Sequence, residues 1–105
     1  MVYADADLDK AIAGSAHAIF FNQGECCVAG SRLYVEESVY DQVVEGVAEQ
    51  ARMIKVGNGL DPETTMGLVS QEQFDRVTGY IKSGKDDGAG IVGGKRVGSA
   101  ATSSR

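Results

Sequence analysis

The chain has 105 residues, room for one domain, since single-core domains run to roughly 50–250 residues; a second independent core is excluded. With 43% hydrophobic and 24% charged residues it matches neither a disordered chain nor a membrane span, which needs a run of about 18 apolar residues. Ten Lys and Arg against fifteen Asp and Glu give a charge of −5, the wrong sign for neutralising phosphates, so neither nucleic acid nor a membrane is expected as a partner.

Val2-Tyr3-Ala4 reads as the remnant of a strand, and Asp7 as the N-cap of a helix carrying Leu8, Ile12, Ala16, Ile19 and Phe20, which should end near Gln23, at Gly24. Arg32-Leu33-Tyr34-Val35 is rich in β-favouring residues and predicts a strand over 31–36. Ser38 and Asp41 form a capping arrangement before a helix over 39–54, whose Tyr40, Val43, Val44, Val47, Ala48, Ala51 and Ile54 share one face. The turn formers Gly57-Asn58-Gly59-Leu60-Asp61-Pro62 open a loop running to about Gly67. Ser70 and Gln73 then cap a helix with Phe74, Val77 and Ile81 inward, ended by Gly84, and Ile91-Val92 predicts a short last strand.

From Gly93 onward the chain is Gly, Ser, Ala, Thr and cations, too poor in apolar surface to offset its ordering entropy; residues 95–105 are expected to be a mobile tail after a domain over 1–94. The order strand, helix, strand, helix, helix, strand predicts an α/β layer of about three helices on a short, mostly parallel sheet. The start, MVYADADLDK, has neither a basic nor an apolar stretch of the secretory kind, so a reducing, cytoplasmic setting is expected. With only three Phe and no Trp, stability should be marginal.

Gly88-Ala89-Gly90-Ile91-Val92-Gly93 matches the dinucleotide pattern G-x-G-x-x-G, but it fails on context. That pattern works when a strand delivers the glycine turn and a helix opening there aims its N-terminus at the pyrophosphate. Here a helix comes first and a tail follows, so a loop is expected. Cys26 and Cys27 are adjacent, which excludes the spaced ligand pairs of a zinc site and the C-x-x-C redox motif. They lie in a turn between a helix and a strand, where reactive groups tend to sit, although free cysteine is also among the most buried residue types. A free thiol ionises near pH 8.5, so a catalytic one needs oriented N–H groups or a base.

The stretch Phe21-Asn22-Gln23-Gly24-Glu25-Cys26-Cys27-Val28-Ala29-Gly30-Ser31-Arg32 resembles the active-site cysteine segment of the aldehyde dehydrogenase superfamily. That signature reads aromatic-x-x-Gly-(Gln or Glu)-x-Cys, here Phe21, Gly24, Glu25 and Cys27. Asp5-Ala6-Asp7, Ala29-Gly30-Ser31-Arg32, Val56-Gly57-Asn58 and Gly79-Tyr80-Ile81 also resemble family positions, so the similarity covers about residues 2–94. It implies an NAD(P)-dependent oxidoreductase in which Cys27 attacks a small aldehyde, the thiohemiacetal yields hydride to NAD or NADP, and water hydrolyses the thioester. Cys26 is then a neighbour only, and Glu25 is not the general base. If the turn keeps the family geometry, Cys27 should be accessible and Cys26 should face protein.

The resemblance also implies a piece of a larger catalytic domain. The family's nucleotide-binding domain, oxyanion-hole asparagine and Glu-Leu-Gly-Gly segment have no counterpart here, so no cofactor is expected to bind this chain alone. Gly67 is followed by Leu68 where the family has Pro, and the similarity ends after Gly98. The alternative to catalysis is a non-catalytic α/β module that self-associates, most simply as a homodimer, through apolar surface left without cover. His17, the only histidine, falls off the apolar stripe of its helix and is expected to be an ordinary polar-face or packed residue rather than a partner of Cys27, and Glu36, Glu37, Asp41, Glu45 and Glu49 read as a solvated surface rather than a metal cage.

Overall fold

The computed structural model describes residues 1–67 and 69–95. They group into two compact units, residues 1–54 and the residues from Lys55 onward.

In the first unit, helix α1 spans Leu8–Phe20 and helix α2 spans Tyr40–Arg52. The Asp7 carboxylate accepts the Lys10 N–H at 3.3 Å, satisfying one of the four donors that every helix start leaves orphaned. α1 buries Ala16, and α2 buries Val43, which is wholly inaccessible, together with Ala48. The two helices pack closely because Gly46 has no side chain: a Cβ there would fall 2.5 to 3.0 Å from three carbons of Ile12. Val2 adds the remaining buried apolar side chain among the described residues. The core of this unit is small.

The expected capping of α2 by Ser38 is not found. Its N-cap is Val39, without a side-chain bond, and a single 3₁₀ turn over Glu37–Val39 precedes it. The Val39 and Tyr40 amides donate to the Glu36 and Glu37 carbonyls, so backbone does the work assigned to the serine. The predicted face of α2 is also only partly covered, with Tyr40 53% and Val44 40% exposed.

The strand expected over 31–36 is reduced to one parallel bridge, Val2 to Val35, made by Val2 N–H to Tyr34 O at 2.8 Å and Glu36 N–H to Val2 O at 2.9 Å. The ladder stops because the chain turns at Tyr3, whose carbonyl accepts the Ala6 N–H, and because the Ala4 amide is taken by the Glu36 carboxylate at 2.7 Å. No strand forms at Ile91-Val92 among the described residues. Among the described residues the three expected helices are present, whereas the expected sheet is reduced to two isolated parallel bridges, with no strand.

The second bridge, Val56 to Met66, closes the predicted 57–67 loop in the second unit. Asn58 Oδ1 accepts the Leu60 N–H and Asp61 Oδ1 the Glu63 N–H, the side-chain turns that these residue types favour. Helix α3 runs Gln71–Asp86, started as predicted by Ser70, whose hydroxyl accepts the Gln73 N–H at 3.1 Å. It passes through Gly84 and ends at Asp86 with Asp87 as its C-cap, after which Gly88 takes φ +86° and the Ala89 amide returns to the Gly84 carbonyl. Gly88, not Gly84, is the stop. Of the tail expected over 95–105, all but Lys95 lies outside the described residues.

Candidate active site

α1 ends at Phe20, earlier than its apolar pattern predicts, because the next residues reverse the backbone hand. Asn22 has φ 51° and ψ 49°, Gln23 φ 59° and ψ 18°, and Gly24 φ 75°. A left-handed conformation costs a non-glycine residue roughly 1–2 kcal/mol, so two in succession need compensation from their surroundings. Three hydrogen bonds supply it. The Phe21 N–H donates to His17 O, the Glu25 N–H returns to Asn22 O at 2.9 Å, and the Gly30 N–H reaches Ala18 O at 3.0 Å. The last also satisfies a carbonyl that the end of α1 would otherwise leave open.

Between those anchors the Ala29 N–H donates to Cys26 O at 3.0 Å, closing a four-residue turn with Cys27 and Val28 at its centre. Cys26 is half-buried and Cys27 exposed; both are free thiols. The unequal exposure expected of the adjacent pair is thus present. The Cys27 N–H donates to no acceptor among the described residues, which leaves a backbone donor beside the thiol.

His17 does not join the cysteines. It is exposed, and its ring lies 5.2 Å from that of Phe21, tilted by 39°. The acidic residues are likewise surface groups: Glu45 and Glu49 both bind Arg52, at 3.2 and 3.0 Å, and raise its guanidinium above its ordinary range through those hydrogen bonds. Among the described residues no group of three His, Cys, Asp or Glu can hold a metal ion. No described helix is long and apolar enough to cross a membrane.

An open groove runs between α1 and residues 30–33, lined by apolar Val2, Ile19 and Leu33 and by the cations Lys10 and Arg32; neither cysteine lines it. The glycine pattern at 88–93 follows α3 as expected, and residues 91–95 form no helix. Sequence reasoning missed Asn22 and Gln23. The available signal was an asparagine, which tolerates the left-handed region, two residues before a glycine.

The sequence profile of the aldehyde dehydrogenase family matches residues 1–104. A probable betaine aldehyde dehydrogenase of Schizosaccharomyces pombe is 49% identical over 96 residues, covering 90% of this chain and 19% of that protein. Human aldehyde dehydrogenase 1A1 is 46% identical over 90 residues, covering 85% of this chain and 18% of that one. An aldehyde dehydrogenase of Bacillus cereus, solved as its NAD+ complex, superposes with a TM-score of 0.89 at 38% identity, covering 96% of this chain and 21% of its own. The chain spans about a fifth of the length of these proteins.

Proposed function

Since the chain belongs to the aldehyde dehydrogenase family, we propose that it supplies the nucleophile-bearing turn of an enzyme that oxidises small aldehydes, with Cys27 as the attacking thiol. The observation that carries this reading is the exposed Cys27 at the tip of a turn that α1 anchors at both ends. In the step these residues can take, the thiol first loses its proton to water. The sulfur then forms a bond to the aldehyde carbon, and the C=O π pair moves to oxygen, which takes a proton from solvent to give the thiohemiacetal. The unengaged Cys27 N–H is the kind of fixed donor that stabilises the developing oxyanion.

Oxidation beyond the thiohemiacetal needs a hydride acceptor, NAD or NADP in such enzymes, as the NAD+ complex of the Bacillus cereus relative exemplifies. A direct test mixes the full chain with an aldehyde carrying ¹³C at the carbonyl and follows the carbon NMR signal. A thiohemiacetal resonance that Cys27→Ser abolishes and Cys26→Ser preserves is the expected result. An adduct of equal intensity in Cys27→Ser would remove the assignment.

A second reading, self-association, draws on exposed apolar side chains, among them Tyr40 and Val44 on α2 and Val77 and Tyr80 on α3. Sedimentation at micromolar concentration tests it. A strictly monomeric profile, with no dye-accessible apolar surface, dismisses it.

A further inference from the structure

Two adjacent thiols have the same intrinsic chemistry, so something other than residue type must select between Cys26 and Cys27. The strain upstream of them is the one unusual feature nearby. Asn22 and Gln23 are both exposed, and neither side chain hydrogen-bonds among the described residues, yet both hold φ values that L residues avoid. Their side chains do not explain that conformation; the path of the backbone does.

The geometry points to Asn22 and Gln23 as positioning residues for Cys27, acting through their left-handed backbone. This inference rests on the reading of Cys27 as the nucleophile. Both ends of the segment are fixed on α1, by Phe21 N–H to His17 O and Gly30 N–H to Ala18 O, so the residues between have little slack. The left-handed pair lets the Glu25 amide fold back to Asn22 O within that span, and the chain then enters the Cys26–Ala29 turn with Cys26 half-buried and Cys27 exposed. A right-handed or extended pair at 22 and 23 would redirect the chain before Glu25 and break that return. The selection is thus made before either cysteine is reached.

The test is the ratio of iodoacetamide alkylation rates at Cys27 and Cys26, read by peptide mass spectrometry after brief treatment of the native 105-residue chain. The ratio is an internal control, because general loosening moves both rates together. Gln23→Val, β-branched and hostile to positive φ, should lower the ratio about fivefold, whereas Gln23→Gly and Gln23→Asn, which accept that φ, should keep it within about twofold. Gln23 is exposed, so these changes disturb no packed side chain, and far-UV circular dichroism checks each fold. If Gln23→Val does not fold, Gln23→Thr takes its place with the same expected loss. Equal rates in the unsubstituted chain would sink the nucleophile assignment itself. A parent that discriminates alongside a β-branched variant that also discriminates would overturn the positioning role alone. So would a Gly variant that loses the ratio as fully as the Val variant, since the side chain would then be what matters.

Discussion

Two stretches of this chain bear glycines in patterns that suggest a functional loop, and the structure treats them in opposite ways. In Asn22–Gly30 the left-handed backbone begins on residues with side chains and is held by hydrogen bonds rooted on α1. In Gly88–Gly94 the positive φ values fall on glycines alone, at 88, 93 and 94, and a Cβ at 88, 90 or 93 would meet only open space. The first stretch accepts strain and is over-determined; the second adopts the same region without cost and is fixed by little. Glycine count does not distinguish them. What does is whether the far end of the loop is tied back to its helix: Gly30 N–H reaches Ala18 O, whereas beyond Ala89 no backbone hydrogen bond returns to α3 among the described residues.

The comparison can be broken from below, by damaging the surface on which the cysteine turn stands. Gly46→Val would drive side-chain carbons into Ile12, where even a Cβ has contacts of 2.5 to 3.0 Å, and should cost about 2 kcal/mol as α1 and α2 are forced apart. A urea midpoint that falls by the corresponding amount is the expected outcome, with the Cys27 to Cys26 alkylation ratio largely kept. An unchanged midpoint would mean that the Ile12 side chain yields without cost.

A smaller effect sharpens the contrast within the turn. Gly24→Ala places a Cβ at φ +75° and 3.1 Å from the Ile19 carbonyl oxygen, so destabilisation of about 1 kcal/mol is expected. Because Asn22 and Gln23 already bear that conformation, the loss should remain near the figure for a single left-handed residue. A much larger loss would show that the contact with Ile19, rather than φ, governs the position.

Much of the helical part was legible because its signals are local. Asp7 and Ser70 cap helices from within four residues, and the spacing of Val43 and Ala48 marks the buried side of α2 whatever lies opposite. The errors fall where a residue's state is decided by something distant in sequence. Arg32 to Val35 have strand propensity, but a strand needs partners, and among the described residues only Val2 supplies one. Ser38 is a competent cap at a helix start where the Glu36 and Glu37 carbonyls already bind the amides. Gly84 and Gly88 are equally able to end a helix, and the choice follows the return of the Ala89 amide. Cys27 was picked out by the resemblance of its segment to a family motif, spacing alone leaving a buried structural thiol equally open, whereas the left-handed Asn22 and Gln23 depend on the closure between Ala18 and Gly30, which lies outside that motif's pattern.

The smallest expected effect belongs to the other glycine stretch. Gly90 lies outside the left-handed region, is exposed, and a Cβ added there would have nothing within 4 Å, so alanine can take its backbone without strain. Gly90→Ala should therefore leave stability unchanged or raise it by up to about 1 kcal/mol, chiefly by restricting the unfolded chain. A dinucleotide cradle would behave differently, because its glycines let the backbone approach the pyrophosphate and a ligand that binds only the folded state raises the melting temperature. Thermal unfolding of the parent and of Gly90→Ala, each with and without millimolar NAD+, separates the two cases. The expected result is no NAD+-dependent shift in either chain. A shift in the parent that the alanine abolishes would turn the unanchored stretch into a binding loop and undo the contrast with the cysteine turn.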